Sequence, residues 1–331
     1  MQRDDRYRKI IHENEYVLKM QNEVLPYLER RVSEAWIPCA PENRGRVHVL
    51  RYLADKARGV VVISHGFSES AQKYPELIYY FLQEHYHVYF PEHCGHGLSY
   101  RLTDDPSLVH LDRWNRYSRD FLRVSRLDKK GSSRMPLYLF AHSMGGAVAA
   151  IAAAREPYIY KKVILSSPMI RPLTGNVPYP AAIRISRAAC RTGREMKYVA
   201  GQKPYDGTEQ FETSSGLSRP RFERYKEIRR NNIECRTFSP SYGWLYNAAK
   251  MNWYLQRSAW KDIAAPILLF QAETDSLVSL KAQDIFAEKI NNCGKTSCTL
   301  IRMAGTKHEI FNAQDDILET YWGHVFGFLK G

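Results

Sequence analysis

The sequence predicts an α/β fold, with a mostly parallel central sheet flanked by helices and a largely helical cap inserted into it. Three observations carry this expectation. Short runs that are apolar throughout (Val60–Ile63, Leu137–Ala141, Val163–Leu165, Ile267–Phe270) recur along the chain, the pattern of strands buried on both faces. From Met169 to about Trp260 the strand-and-helix alternation stops, and the chain becomes rich in Pro, Arg and aromatic residues. Beyond residue 260 it resumes. The expected organisation is an N-terminal helical extension over residues 1–35, a core built from 36–168 and 261–331, and a cap over 169–260.

Composition narrows the class. A chain of 331 residues that is 44% hydrophobic has enough apolar surface for a large core. Its longest apolar run, Ala147–Ala154, falls far short of the ~18 residues of a membrane span. The charged start, Met1–Lys9, leads into no apolar stretch, so no secretory signal is expected and the expected location is the cytoplasm. Six cysteines are scattered without a C-x-x-C pair or zinc-like spacing; only Cys293 and Cys298 flank a turn short enough to suggest a small closed loop. Of the net charge of +13, nine units lie in residues 171–257, which hold sixteen Lys/Arg against seven Asp/Glu. Such a segment is either a solvated basic face or an attractor of anionic substrates and the inner membrane surface. No nucleic-acid motif accompanies it, so no nucleic-acid partner is expected.

Each element has its own signal. Residues 5–35 place Ile10, Ile11, Val17, Leu18, Leu25 and Leu28 at roughly helical spacing, so one or two peripheral helices are expected. Arg46–Leu53 alternates, which predicts a half-buried antiparallel strand at the sheet edge. Gly59–Ser64 reads as a buried strand running into His65-Gly66-Phe67-Ser68. A helix over 74–85 and a short strand over 87–91 follow. The next stretch, Glu92–Ser99, holds His93, Cys94 and His96 on a Gly-rich turn, with no further ligand at a metal-binding spacing; a stiff loop is expected there, and no metal or other cofactor. A helix over 111–128 carries Trp114, Tyr117, Phe121 and Val124 as its inner stripe. Strands over 162–168, 265–271 and 298–303 and a helix over 314–329 complete the core.

The pivot is Leu137–Ala150. Five mostly apolar residues read as a strand, Gly145, Gly146 and the alanines after them as the start of a helix with a small surface, and Ser143 stands at the turn between them. A strand-to-helix turn this tight forces a hydroxyl out at the end of the sheet and demands small residues two before and two after it. Ala141 and Gly145 meet that demand, although the pattern G-x-S-x-G here reads A-H-S-M-G. An ordinary Gly-rich turn with a solvated serine is the competing reading of this stretch alone. Asp275 follows the strand at 265–271 and His308 the strand at 298–303, 132 and then 33 residues on. The order Ser, Asp, His, each after a successive core strand, is that of a nucleophile, an orienting acid and a general base assembled at one sheet edge. Glu273 and Asp262 are the alternative acids; the first stands early on the same loop and the second precedes its strand. Two main-chain donors are needed for the oxyanion. Met144 qualifies by position and Phe67, after His65-Gly66, is the candidate for the second, with His65 expected to tie that loop rather than to move protons.

Together, His65-Gly66-Phe67-Ser68-Glu69-Ser70 with Tyr74, His93-Cys94-Gly95-His96-Gly97-Leu98-Ser99, His142-Ser143-Met144-Gly145-Gly146 and Lys307-His308-Glu309-Ile310-Phe311-Asn312 resemble the monoacylglycerol lipase and bacterial lysophospholipase branch of the α/β-hydrolases over roughly residues 30–330. The resemblance implies a cofactor-free serine hydrolase acting on a single-chain glycerolipid ester, with Ser143, Asp275 and His308 as triad and Phe67 and Met144 as oxyanion donors. The basic cap favours a lysophospholipid. Monoacylglycerol, other carboxylic esters, peptide amides, and a non-catalytic receptor on the same fold are the alternatives. Ala141 and Ala272 stand where the branch usually has glycine.

Overall fold

The computed structural model describes residue 7 and residues 9–40, 44–127 and 135–331. The chain opens with a helical run: α1 (Tyr16–Lys19), one π-helical turn (Met20–Val24) and α2 (Leu25–Glu29), with Tyr16, Met20, Val24 and Leu28 on its buried side. The helical reading of residues 5–35 ends there. From Val32 the chain is an edge strand, β1 (Val32–Pro38), whose alternation of partly buried and exposed residues was masked by the helical spacing before it. β1 pairs antiparallel with β2 (Arg46–Tyr52), so the strand expected at the edge lies one place inside it.

The core strands follow: β3 (Gly59–Ser64), β4 (Tyr86–Pro91), β6 (Leu137–His142), β7 (Tyr160–Ser166), β9 (Ile267–Ala272) and β10 (Cys298–Met303). With β1 and β2 they form one eight-stranded sheet in the order β1-β2-β4-β3-β6-β7-β9-β10, parallel from β4 onward. β3, β6 and β9 are buried along their whole length, which is why their sequences are apolar runs rather than alternations. Helices α3 (Pro75–Gln83), α4 (Arg116–Ser125), α5 (Met144–Arg155), α9 (Leu280–Cys293) and α10 (Asp315–Lys330) cover the two faces. Expected helix 111–128 is thus shorter, with Trp114 ahead of it and residue 128 outside the described residues. This is the α/β-hydrolase fold.

Residues 169–260 carry α6 (Tyr179–Arg191), α7 (Arg219–Asn231) and α8 (Tyr242–Arg257). A two-residue parallel pairing of β5 (Leu108–Val109) with β8 (Ser239–Pro240) ties this segment to the core. Buried Trp244 on α8 stacks edge-on against Phe67, centroids 4.5 Å apart. All six cysteines are free, Cys293 exposed and Cys298 buried.

Candidate active site

Parallel strands bring every strand-end loop of one polarity to one edge, and the site lies there. Residues β3 Ser64 and β6 Ala141 are paired, so the loop at 65–70 and the turn at Ser143 are neighbours by register. Ser143 has φ 53° and ψ −120°, a left-handed conformation that costs energy in any residue with a Cβ and is held by its surroundings. Its amide donates to the Ser166 carbonyl at 3.1 Å, and its carbonyl accepts from Gly146 and Met169. A Cβ on Gly145 would lie 2.0 Å from the Ser64 carbonyl oxygen, so the position two after the serine admits only glycine. Two before it, buried Ala141 is accommodated.

Ser143 Oγ donates to His308 Nε2 at 2.8 Å, and His308 Nδ1 donates to Asp275 Oδ2 at 2.6 Å. The side chains of His308 and Asp275 are 4% and 0% exposed. The second oxygen of Asp275 accepts the amides of Leu277 and Val278 at 2.8 and 2.9 Å. Burial alone would raise the Asp275 carboxyl, but the hydrogen bond and electrostatic attraction of the His308 ring, with those two amides, hold it below the usual carboxylate range. A carboxylate on Nδ1 keeps the proton there and leaves Nε2 free to accept from the serine. The other two acids stand elsewhere: Glu273 accepts the Gly305 amide at 2.7 Å, and Asp262 lies before β9, at the far end of that strand.

Met144 opens α5, where amides are unpaired and the helix dipole favours negative charge. Phe67 lies on the β3 loop, ahead of Ser68 at φ 57°. His65 fastens this loop: its Nδ1 donates to the Gly66 carbonyl at 2.8 Å and its Nε2 accepts the His93 amide at 2.9 Å. Burial lowers its pKa and keeps it neutral, the tautomer these two bonds require. Sequence reasoning assigns no role to Glu69 or Lys73, which the structure buries beside this loop with His142; Glu69 stands within the His65–Ser70 motif, and Lys73 shows only as a charge near it. Among the described residues, no cluster of three His, Cys, Asp or Glu side chains is arranged to hold a metal ion.

A cavity of about 630 Å³ is lined in part by residues between 203 and 229. Its lining includes Ser68, Leu277 and Glu309, which lie within two residues of Phe67, Asp275 and His308 in sequence, together with Glu209, Ser215 and Lys226.

The chain has relatives among known proteins. It is 28% identical over 242 residues to "Lysophospholipase L2" of Escherichia coli (strain K12), spanning 73% of this chain and 71% of that protein. It is 32% identical over 113 residues to "Monoglyceride lipase" of Rattus norvegicus, 34% of this chain and 36% of that one. A thermostable carboxyl esterase from Bacillus coagulans superposes with a TM-score of 0.72 at 18% identity, over 91% of this chain and 98% of that one. The resemblance to the monoacylglycerol lipase and bacterial lysophospholipase branch is borne out by these relatives. A sequence model described as "Serine aminopeptidase, S33" matches residues 55–315, from the end of β2 through the His308 loop, and the chain belongs to that family.

Proposed function

We propose that this protein is a serine hydrolase that cleaves the acyl ester of a single-chain glycerolipid, a lysophospholipid above all. The observation that carries the reading is the unbroken line from Ser143 through His308 to Asp275. In it, Ser143 Oγ attacks the acyl carbonyl while His308 Nε2 takes its proton, and Asp275 stabilises the imidazolium. The Phe67 and Met144 amides receive the oxyanion. Collapse expels the glycerol oxygen, protonated by His308, and leaves an acyl-serine; water then attacks with His308 again as base.

The leaving group supplies the case for lysophospholipid. The cavity lined by residues close in sequence to Phe67, Asp275 and His308 mixes hydroxyls and charges, Lys203, Lys226, Asp206 and Glu209 among them, with Phe222, Phe238 and Leu277, a lining that can receive a polar head next to an apolar chain. The relatives named lysophospholipase and monoglyceride lipase agree with a single-chain lipid ester, and a neutral monoacylglycerol or another carboxylic ester is the second reading. The family description favours a peptide amide as a third, since the same residues serve it. Residues 169–260 act in this reading as the cap over the site. On α6, Arg184, Arg187 and Arg191 are exposed, and Ile185 beside them is 52% exposed, a mixture suited to transient contact with an anionic inner-membrane surface. No helix of the described residues is long and apolar enough to cross a membrane.

The test is one panel: lysophosphatidylcholine, monoacylglycerol and a prolyl amide, with fluorophosphonate labelling alongside. Labelling of wild type but not Ser143→Ala, with the lysophospholipid turned over fastest, is expected. Full activity of Ser143→Ala refutes the nucleophile, and a preference for the amide refutes the substrate class. Turnover of lipid on anionic vesicles should fall as salt rises, because attraction between a basic surface and the vesicle is screened; a salt-independent rate refutes membrane contact through the cap.

A further inference from the structure

Three loops distant in the chain meet at Ser143: residues 65–70 after β3, the elbow at 142–144, and residues 305–312 after β10. Backbone pairing aligns the strands but leaves open how far apart the loops stand beyond them. One buried carboxylate spans the gap. The Glu69 side chain, 4% exposed, accepts the Gly66 amide at 2.6 Å, Lys73 Nζ at 2.9 Å, the Tyr74 hydroxyl, and His142 Nδ1 at 3.2 Å from one oxygen and 3.3 Å from the other. Gly66 directly precedes Phe67, and His142 directly precedes Ser143. The fit is close enough that a Cβ on Gly66 would lie 2.7 Å from Glu69 Oε2 and 3.0 Å from His142 Nδ1.

The network continues to the third loop. Lys73 Nζ also donates to Glu309 Oε1 at 2.6 Å, and Glu309 follows His308. His142 Nε2 faces the His308 carbonyl at 3.4 Å. Burial would raise the Glu69 carboxyl; the Lys73 ammonium, then His142 and Tyr74, reverse this and hold it well below the usual carboxylate range, so it is charged. A buried charge with this many donors is costly to assemble and rigid once made.

Resting on the reading of Ser143 as nucleophile, we propose that Glu69 is a positioning residue for the oxyanion hole. By holding the Gly66 amide and the His142 ring on one carboxylate, it sets the spacing between the Phe67 and Met144 amides, and through Lys73 and Glu309 it ties that spacing to the His308 loop. Glu69 touches no reacting atom. Its effect is confined to the transition state, where the oxyanion forms, and a misplacement of about 1 Å there is worth on the order of 10² in rate.

Glu69→Gln is the direct test. A glutamine offers one acceptor oxygen where four donors converge, and its amide group confronts at least one of them. With a soluble short-chain ester, kcat should fall about 10–100-fold with KM within about 2-fold. Affinity for an alkyl boronic acid, which mimics the tetrahedral state, should fall by the same factor, and affinity for the product fatty acid should not change. A variant whose kcat stays within about 3-fold, or whose boronate and fatty-acid affinities fall together, overturns the proposal, since a merely structural role weakens both alike. Should Glu69→Gln not fold, the same measurements on Glu69→Asp decide, because its shorter arm cannot span Gly66 and His142 at once. The wild-type protein in the same experiment must be labelled by a fluorophosphonate; failure there would fall on the serine-hydrolase reading, not on the clamp.

Discussion

Arg221 and Glu76 offer the sharpest energetic test of how α7 is fastened to the core. Arg221 lies on α7 and Glu76 on α3, 145 residues apart, with side chains 1% and 10% exposed. The guanidinium gives Glu76 two bonds, 2.8 Å from Nε and 2.7 Å from a terminal nitrogen, and also donates to the Ile11 carbonyl at 2.7 Å and Ser218 Oγ at 3.0 Å. The Tyr80 hydroxyl donates to Glu76 at 2.6 Å and accepts the Ile11 amide at 2.7 Å, so the N-terminal segment, α3 and α7 share one buried polar knot. Arg221→Met strands a buried carboxylate, a loss of about 3–5 kcal/mol. Unfolding entropy of roughly 2.1 cal/mol/K per residue makes that a fall in Tm of about 4–7 °C for this chain. Adding Glu76→Gln removes the stranded charge, keeps an acceptor for Tyr80, and should recover more than half of the loss. Urea titrations and thermal scans of wild type, single and double variants measure both steps. A single variant that loses less than about 1 kcal/mol, or a double variant no more stable than the single, refutes the view that an uncompensated buried charge is at stake.

Asp275→Asn should lower kcat by about 10⁴ with the fold intact, as for other triads whose orienting carboxylate is neutralised; Glu273→Gln, whose amide oxygen can still accept the Gly305 amide, should stay within a few-fold, and the reverse ranking in steady-state kinetics would reassign the acid. Gly145→Ala should cost upward of about 2 kcal/mol and most of the activity, because its methyl would meet the Ser64 carbonyl oxygen; a variant as stable and active as wild type in urea titration and ester assay would show that the elbow can open. Stability should fall as the pH drops below about 6.5. Burial lowers the pKa of His65, His93, His96 and His110, so each is neutral when folded and gains a proton on unfolding. That stabilisation is complete above the unfolded value of about 6.5 and is lost as the pH falls toward the folded values. His48 runs the other way: burial would lower it, but Glu92 reverses this and raises it, so its contribution is complete below about 6.5 and is lost as the pH rises through the raised value. The net expectation is a loss of stability between about pH 7.5 and 5.5, because four lowered histidines oppose one raised one, and equal urea midpoints at the two pH values would refute it.

Much of the fold is legible in the chain because it is encoded by neighbours. A strand buried on both faces must be apolar throughout, as β3, β6 and β9 are, and a serine at φ 53° must be flanked by residues small enough to pass the adjacent strand. The misread elements were those whose local pattern had two solutions. Val32–Pro38 became an edge strand because β2 offered it a free edge, which no periodicity within residues 5–35 records. The sequence by itself therefore determined the buried core strands, the elbow, and the Ser143, Asp275, His308 order along them. Only the tertiary structure decided that His308 stands 2.8 Å from Ser143, that Glu69 gathers Gly66, His142 and Lys73, and that Arg221 finds Glu76 across 145 residues. Short-range patterning follows from backbone sterics and side-chain burial, whereas a buried charge selects its partner only after the chain has closed around it and excluded water.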